Sequence, residues 1–367
     1  MKREGVMGKD LHSEPFDEST QTKLELFRRY IKEWLPVFLA KGNPDWNTIN
    51  IFDYFAGPGR DPEGTEGTPL ILLEELKKYL YKISEKRLNV FVYLNEKDKG
   101  KYAQLKEEVE KEKRPEYRVK VANKDFQEAL NDTKPLFSGA ANLVLIDQYG
   151  VSQVKKEVFE ELVNYARKDT AFDIMFFISS SQFHRFPNDK SFLQFLDMGK
   201  KEGEKTPYEH IHREITERYR ALVPKDREFF LAPFSIKKGS NIRGVIFGTK
   251  NLLGLEKFLG ACWKIDPIYG EANFDIDGEG ISPDQPSLFE EHNKPKKLSV
   301  FEGKLKNDIL SQKLKSDREI YRFTLESGVL PKHANKVVKE MKSQGKIEKP
   351  KGFSISNKAN GKELKVL

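Results

Sequence analysis

Cysteine occurs once, at Cys262, which excludes a disulfide framework and any cysteine-based zinc cluster within this chain. Long apolar runs are missing too. Stretches such as Ile174–Ile178 are far shorter than the roughly 20 residues that cross a bilayer, so no membrane association is expected. Met1-Lys-Arg-Glu is not followed by an apolar segment, and no secretory signal is read there. Histidines are few, and His210 and His212 stand two apart on an expected helix, where they point to different faces. No metal pair is expected from them, and no cluster of acids with metal-binding spacing supports a nuclease. With 33% charged residues and a mean hydropathy of −0.65, the expectation is a soluble, cytoplasmic protein.

What is present is unevenly distributed. Residues 294–367 carry 19 Lys and Arg against 8 Asp and Glu, whereas the rest of the chain carries 45 against 49. A mildly acidic body with a basic end is the asymmetry expected when one module meets a polyanion; a solubilising lysine-rich tail would have the same composition. At 367 residues the chain is too long for one compact core. The expected division is a Rossmann-like domain over 1–264 with an N-terminal helix, a linker over 265–297, and a basic winged-helix domain over 298–367.

The apolar spacing supports this division. Leu24, Leu26, Phe27, Tyr30, Ile31, Trp34 and Leu35 form a helical stripe. Five short apolar runs follow, at Ile49–Phe55, Leu88–Leu94, Tyr117–Val121, Leu143–Ile146 and Phe172–Ile178, alternating with charged helical segments. That rhythm predicts an α/β fold whose parallel sheet is covered on both faces. Glu228–Ile236 and Asn241–Phe247, joined by Lys-Lys-Gly-Ser, predict an antiparallel hairpin at its end. Ile265 to Lys297 is rich in Gly, Pro, Asp and Asn and reads as linker. Beyond it, Ser316-Asp-Arg-Glu319 matches a capping box, Pro331 opens a third helix that stops at Gly345, and Ile347–Lys351 with Gly352–Ile355 are expected to form a wing.

The sharpest motif is Ile49-Asn-Ile-Phe-Asp53-Tyr-Phe55-Ala-Gly57-Pro-Gly59. A strand runs into an acid and then into glycines that permit a sharp turn and a close backbone approach to a ligand. An acid at the strand end suits a cationic or amine-bearing ligand better than a pyrophosphate, which points to S-adenosyl-L-methionine rather than NAD. Glu96, at the end of the second strand, is placed to accept ribose hydroxyls, unless it serves the next helix as a cap. Asp125 is placed to meet an adenine amino group, and equally to cap a helix. Asp147 and Tyr149, in Leu143-Val-Leu-Ile-Asp-Gln-Tyr-Gly150, reach the carboxyl edge of the sheet, where a carboxylate can hold a substrate amine and a tyrosine can stack on a base. A structural acid beside a core tyrosine is the alternative. His184 and Arg185 follow the fifth strand at the same edge. Cys262 falls in a late helix, which disfavours a cysteine nucleophile.

Taken in order, these elements resemble the three-Cys-motif partner family (TcmP). The resemblance rests on Pro15–Lys23, Asp53–Gly59 with Gly67-Thr-Pro69, Asp147–Gly150, Phe176–Ile178, Phe183–Phe186, and Gly244–Lys250 with Gly254–Lys257. It implies a methyltransferase-like Rossmann domain, a C-terminal winged helix, and a neighbouring radical-S-adenosylmethionine-type protein as partner. Gln148 departs from the proline usual after the aspartate, which bears on catalysis more than on cofactor binding. In the basic domain, His333, Lys336, Lys339 and Lys342 lie on or near one helix face, flanked by Lys332 and Asn335, with Lys346, Lys349 and Lys351 on the wing. This is the pattern of a nucleic-acid surface, with DNA expected over RNA. Gln285, Leu288 and Phe289 resemble a sliding-clamp docking peptide, or else pin the linker to the body. Two functions remain open: a nucleic-acid methyltransferase, and a non-catalytic partner that binds nucleic acid while another protein does the chemistry.

Overall fold

A computed structural model describes residues 14–39, 46–148, 156–167, 169–185, 207–281 and 294–367. By compactness the chain divides after Asp147, and each unit is described by itself.

The first unit opens with α1 (Glu18–Leu39), whose apolar stripe is buried as the spacing predicts. It continues with β1 (Thr48–Asp53), α2 (Thr68–Lys77), α3 (Leu80–Glu85), β2 (Asn89–Asn95), α4 (Lys99–Glu112), β3 (Arg118–Ala122), α5 (Phe126–Thr133) and β4 (Ala141–Asp147). The single helix expected over Pro69–Tyr81 is broken at Lys78 and Tyr79 into α2 and α3. The strand order is β3-β2-β1-β4, and the registers of β2 on β3, β1 on β2 and β1 on β4 are all parallel. Parallel strands bring every carboxyl end to one edge, where ligands bind in open α/β sheets.

The second unit contains α6 (Lys156–Asn164), β5 (Ala171–Ile178), α7 (Ser180–Arg185), α8 (Ile211–Leu222), β6 (Phe230–Lys238), β7 (Asn241–Thr249) and α9 (Leu252–Ile265). Its strands run in the order β5-β7-β6, with β7 antiparallel to both neighbours. The two strand sets, 3-2-1-4 and 5-7-6, are those of a Rossmann-like methyltransferase fold.

Residues 266–277 depart from the expected linker. Asp266 accepts four backbone N–H groups, from Ile268, Tyr269, Glu271 and Ala272. Ala272 bridges Ser235 of β6, and Tyr269, Ala272 and Ile276 form a small buried cluster. Arg213 holds Glu271 and Asp277 together. Burial opposes the charge on Glu271, yet Lys297 and Arg213 hold its pKa down at about 2. Composition alone reads such a segment as flexible because its order comes from one side-chain acceptor, Asp266, and from ties to the distant Arg213 and Ser235. Gln285, Leu288 and Phe289 lie outside the described residues.

The C-terminal part is a winged helix: α10 (Lys296–Leu310), α11 (Asp317–Glu326), α12 (Pro331–Ser343), β8 (Ile347–Glu348) and β9 (Lys365–Val366). The capping box at Ser316 and Glu319 is formed, and Pro331 begins α12. The wing is built differently from the expectation. β8 pairs with β9 at residues 365–366, while Phe353 and Ile355 are buried anchors outside any strand. The buried Asp317 shapes the intervening loop by accepting from the N–H groups of Ser354, Gly361 and Lys362.

His212 illustrates how tightly the second unit is packed. It is fully buried. Its Nε2 lies 3.1 Å from the Val245 carbonyl, which can only accept, so Nε2 carries the proton. Nδ1 then accepts from the Ser180 hydroxyl at 2.7 Å, and burial holds the ring neutral, with a pKa of about 4. A Cβ at Gly244 would stand 2.2 Å from Nε2. Because both ring nitrogens are tied, the ring has nowhere to go. Gly244→Ala is therefore expected to cost about 1–3 kcal/mol, read as a lower urea midpoint; an unchanged midpoint would show that the ring moves freely.

Candidate functional site

The edge of β1, β2, β3 and β4 gathers the acids singled out above. Asp53 ends β1 and is only 1% exposed. One carboxylate oxygen accepts from the Phe55 N–H at 3.1 Å and the other from the Thr68 hydroxyl at 2.5 Å. Burial pushes its pKa up to about 6, against the two hydrogen bonds. Asp147 adds to the rise and Lys23 opposes it, so these three charges share one neighbourhood. Asp53 thus organises the bend rather than presenting a free carboxylate.

The chain turns through Gly57 and Gly59, at φ +66° and +92°, values that suit glycine and strain other residues. The Gly57 N–H donates to Glu96 at 3.0 Å, and the other Glu96 oxygen accepts from the Asp98 N–H at 2.8 Å. Asp98 caps α4, so Glu96 is not the cap. It is half-buried, and each oxygen keeps a lone pair for a further donor. Phe55 stacks on Phe126, with ring centroids 5.3 Å apart, giving the bend an apolar wall.

Asp125 serves as a helix cap. It caps α5 through the Gln127 N–H and pairs with Lys97 at 2.9 Å, which holds it below the usual carboxylate range. Asp147, at the end of β4, is ion-paired with Lys23 of α1. Tyr149 lies outside the described residues, and Gln148 is buried. The side chains of His184 and Arg185 also lie outside the described set. His210 contacts the Ile276 carbonyl and Asp277, well separated in role from His212. Among the described residues no group of His, Cys, Asp or Glu could hold a metal ion, and no helix is long and apolar enough to cross a membrane.

Three contributors escape sequence reasoning. Lys23 reads as one more cation on an amphipathic helix, although its ammonium meets Asp147. Thr68 looks like a helix start, although its hydroxyl supports Asp53. Asn95, buried at the end of β2, ties the edge together by bonding the Tyr54 and Lys124 carbonyls and the Lys124 N–H. A polar residue ending an apolar strand is the one available signal.

In the winged helix, Lys332, Lys336, Lys339, Lys346 and Lys349 are exposed. Lys349 lies 5.5 Å from the Phe353 ring. His333, expected among them, is instead packed against Trp263 of α9.

Residues 274–351 match the family described as GMT-like wHTH domain. No curated protein matches the chain in sequence. Among solved structures, the chain is similar to Trm1 from Pyrococcus horikoshii in complex with S-adenosyl-L-methionine, at 11% identity and a TM-score of 0.36, over 62% of this chain and 55% of that one. It is also similar to M. jannaschii TYW2 in complex with AdoMet, at 12% identity and a TM-score of 0.31, over 64% of this chain and 76% of that one. The chain thus spans about half the length of the Trm1 structure.

Removing the Thr68 hydroxyl tests the bend. Thr68→Val leaves a buried carboxylate oxygen without its donor, at an expected cost of about 1.5–3 kcal/mol at pH 7.5. Below pH 6 Asp53 is protonated in the folded state, so the penalty should shrink by pH 5. Urea denaturation at both pH values checks this, and a pH-independent penalty would contradict the role given to Asp53.

Proposed function

We propose that this chain binds S-adenosyl-L-methionine at the carboxyl edge of β1 to β4 and is a methyltransferase-like protein acting on or with nucleic acid, DNA in preference to RNA, in the cytoplasm. The observation that carries the reading is the hydrogen bond from Gly57 to Glu96. It joins the glycine bend after β1 to the acid after β2, which is the pairing an adenosyl ligand needs: a close backbone approach and a ribose acceptor. The donor set fits that ligand. Asp53 supplies negative potential without a phosphate-binding surface, Glu96 has lone pairs for two hydroxyls, and Phe55 offers a flat apolar face. Asp125, through its remaining lone pairs, would receive the adenine amino group.

Bound there, the cofactor would supply an activated methyl on its sulfonium. The chain's own part is alignment. Asp147 would hold a substrate amine by the carboxylate that now holds Lys23, and Tyr149 would stack on the base. Lys336, Lys339, Lys346 and Lys349 would carry the nucleic acid, whereas the Lys332 ammonium stands over the Trp263 ring.

A second reading is favoured by two features at the end of β4. Asp147 already has a cation, Lys23, and the rigid proline after it is replaced by Gln148. Both features suit a non-catalytic partner of a three-Cys protein, as the TcmP resemblance implies, in which Gln285, Leu288 and Phe289 would dock on a sliding clamp.

Calorimetry decides the first step. S-adenosylmethionine should bind, and its affinity should fall as pH drops from 7 to 5, by about tenfold at most, because Asp53 takes up a proton near pH 6. Asp53→Asn should flatten that dependence, and absence of heat at every pH would sink the cofactor reading. Transfer of labelled methyl to DNA or RNA then separates the two functions. An enzyme should lose at least about 100-fold in rate with Asp147→Ala, whereas a partner transfers nothing in either form.

A further inference from the structure

The winged helix is not presented to solvent on all sides. Trp263, near the end of α9, is 6% exposed. Its indole N–H donates to the Gly328 carbonyl, just past the end of α11, at 3.1 Å. Its ring centroid lies 4.8 Å from that of His333 in the first turn of α12, and the ammonium groups of Lys297 and Lys332 stand 5.8 and 5.9 Å from it. On another side of the indole, Gly270 (φ +63°) leaves the space open, since a Cβ there would fall 2.4 Å from the ring. Two further contacts hold the same face: Tyr321 donates to Glu256 at 2.6 Å, and Arg322 pairs with Glu228 at 2.6 Å.

The consequence falls on the first turn of α12. In helix-turn-helix proteins that turn carries the side chains that reach base edges. Here His333 is half-buried against the indole, its Nδ1 has no hydrogen-bond partner, and burial together with Lys332 keeps it neutral, with a pKa of about 4. Asn335, whose amide would suit adenine, donates instead to the Pro331 and Ile355 carbonyls at 2.9 and 3.2 Å. Beyond its first turn and Asn335, α12 exposes Lys336, Lys339 and Lys342, continued by Lys346 and Lys349. The acids on this stretch, Glu340 and Glu348, are paired with Lys306 and Lys365, so they do not cancel the face. No arginine, the residue that reads guanine by two bonds, occurs in 331–351.

We infer that the winged helix grips the phosphate backbone of duplex DNA through the later turns of α12 and the start of the wing, without reading sequence, because its reading turn is clasped on Trp263. The inference rests on the nucleic-acid reading above and is independent of the cofactor site.

Fluorescence anisotropy with the full chain and two unrelated duplexes of equal length tests it. The two Kd values should agree within about twofold. Lys336→Gln with Lys339→Gln should weaken both duplexes alike and lower the salt slope by about 1 to 2. Lys332→Gln should change neither affinity nor slope. A preference above tenfold for one duplex, or a loss with Lys332→Gln equal to that of the double variant, would overturn the inference. Absence of binding to both duplexes would remove the nucleic-acid reading on which it rests. Calorimetry with S-adenosylmethionine on the same sample reports separately on the cofactor site.

Discussion

A buried carboxylate sets the terms for the rest of the first unit. Asp53 closes a strand that is otherwise apolar, and taking its charge out of water is unfavourable unless donors surround it. The Phe55 N–H and the Thr68 hydroxyl are those donors. They draw the chain back after β1 and return it to the start of α2, and the glycines between them absorb the φ values this path demands. Glu96 then anchors the bend from the neighbouring strand. Even so, the pKa near 6 means that the site keeps part of the desolvation penalty. Residues held in an unfavourable electrostatic state are more common where function needs them than where packing alone decides.

The same edge carries an ion pair. Asp147 and Lys23 neutralise one another at the end of β4, in a partly exposed pair whose strength is modest. The pair ties α1 to the carboxyl end of β4.

Within the second unit, the basic domain is constrained by its neighbour. Trp263 serves at once as a donor to Gly328, a platform for His333 and a surface beneath two ammonium groups. Aromatic and cation–π contacts of this size contribute about 0.5–2 kcal/mol each, enough together with the ion pairs to hold one arrangement. The segment before the domain is ordered for a related reason: Asp266, Glu271 and Arg213 satisfy backbone and charge that a free linker would leave to water.

Local patterning determined much by itself. Apolar periodicity placed α1, the parallel strands, the hairpin of β6 and β7, and the three helices of the winged domain, because burial of one face writes a period into the chain. The capping box at Ser316 and the proline opening α12 were legible because capping chemistry is confined to a few adjacent residues. Tertiary structure alone decided the matters that depend on distant partners. It assigned Asp125 to a cap, gave Glu96 to Gly57 and Lys23 to Asp147, paired β8 with β9, and removed His333 from the basic face. In each case the deciding partner is 17 or more residues away or the competing geometry is equally local, as with Asp125. A one-dimensional pattern records which side chains are available, whereas hydrogen bonds and ion pairs form between those that folding happens to bring within about 3 Å.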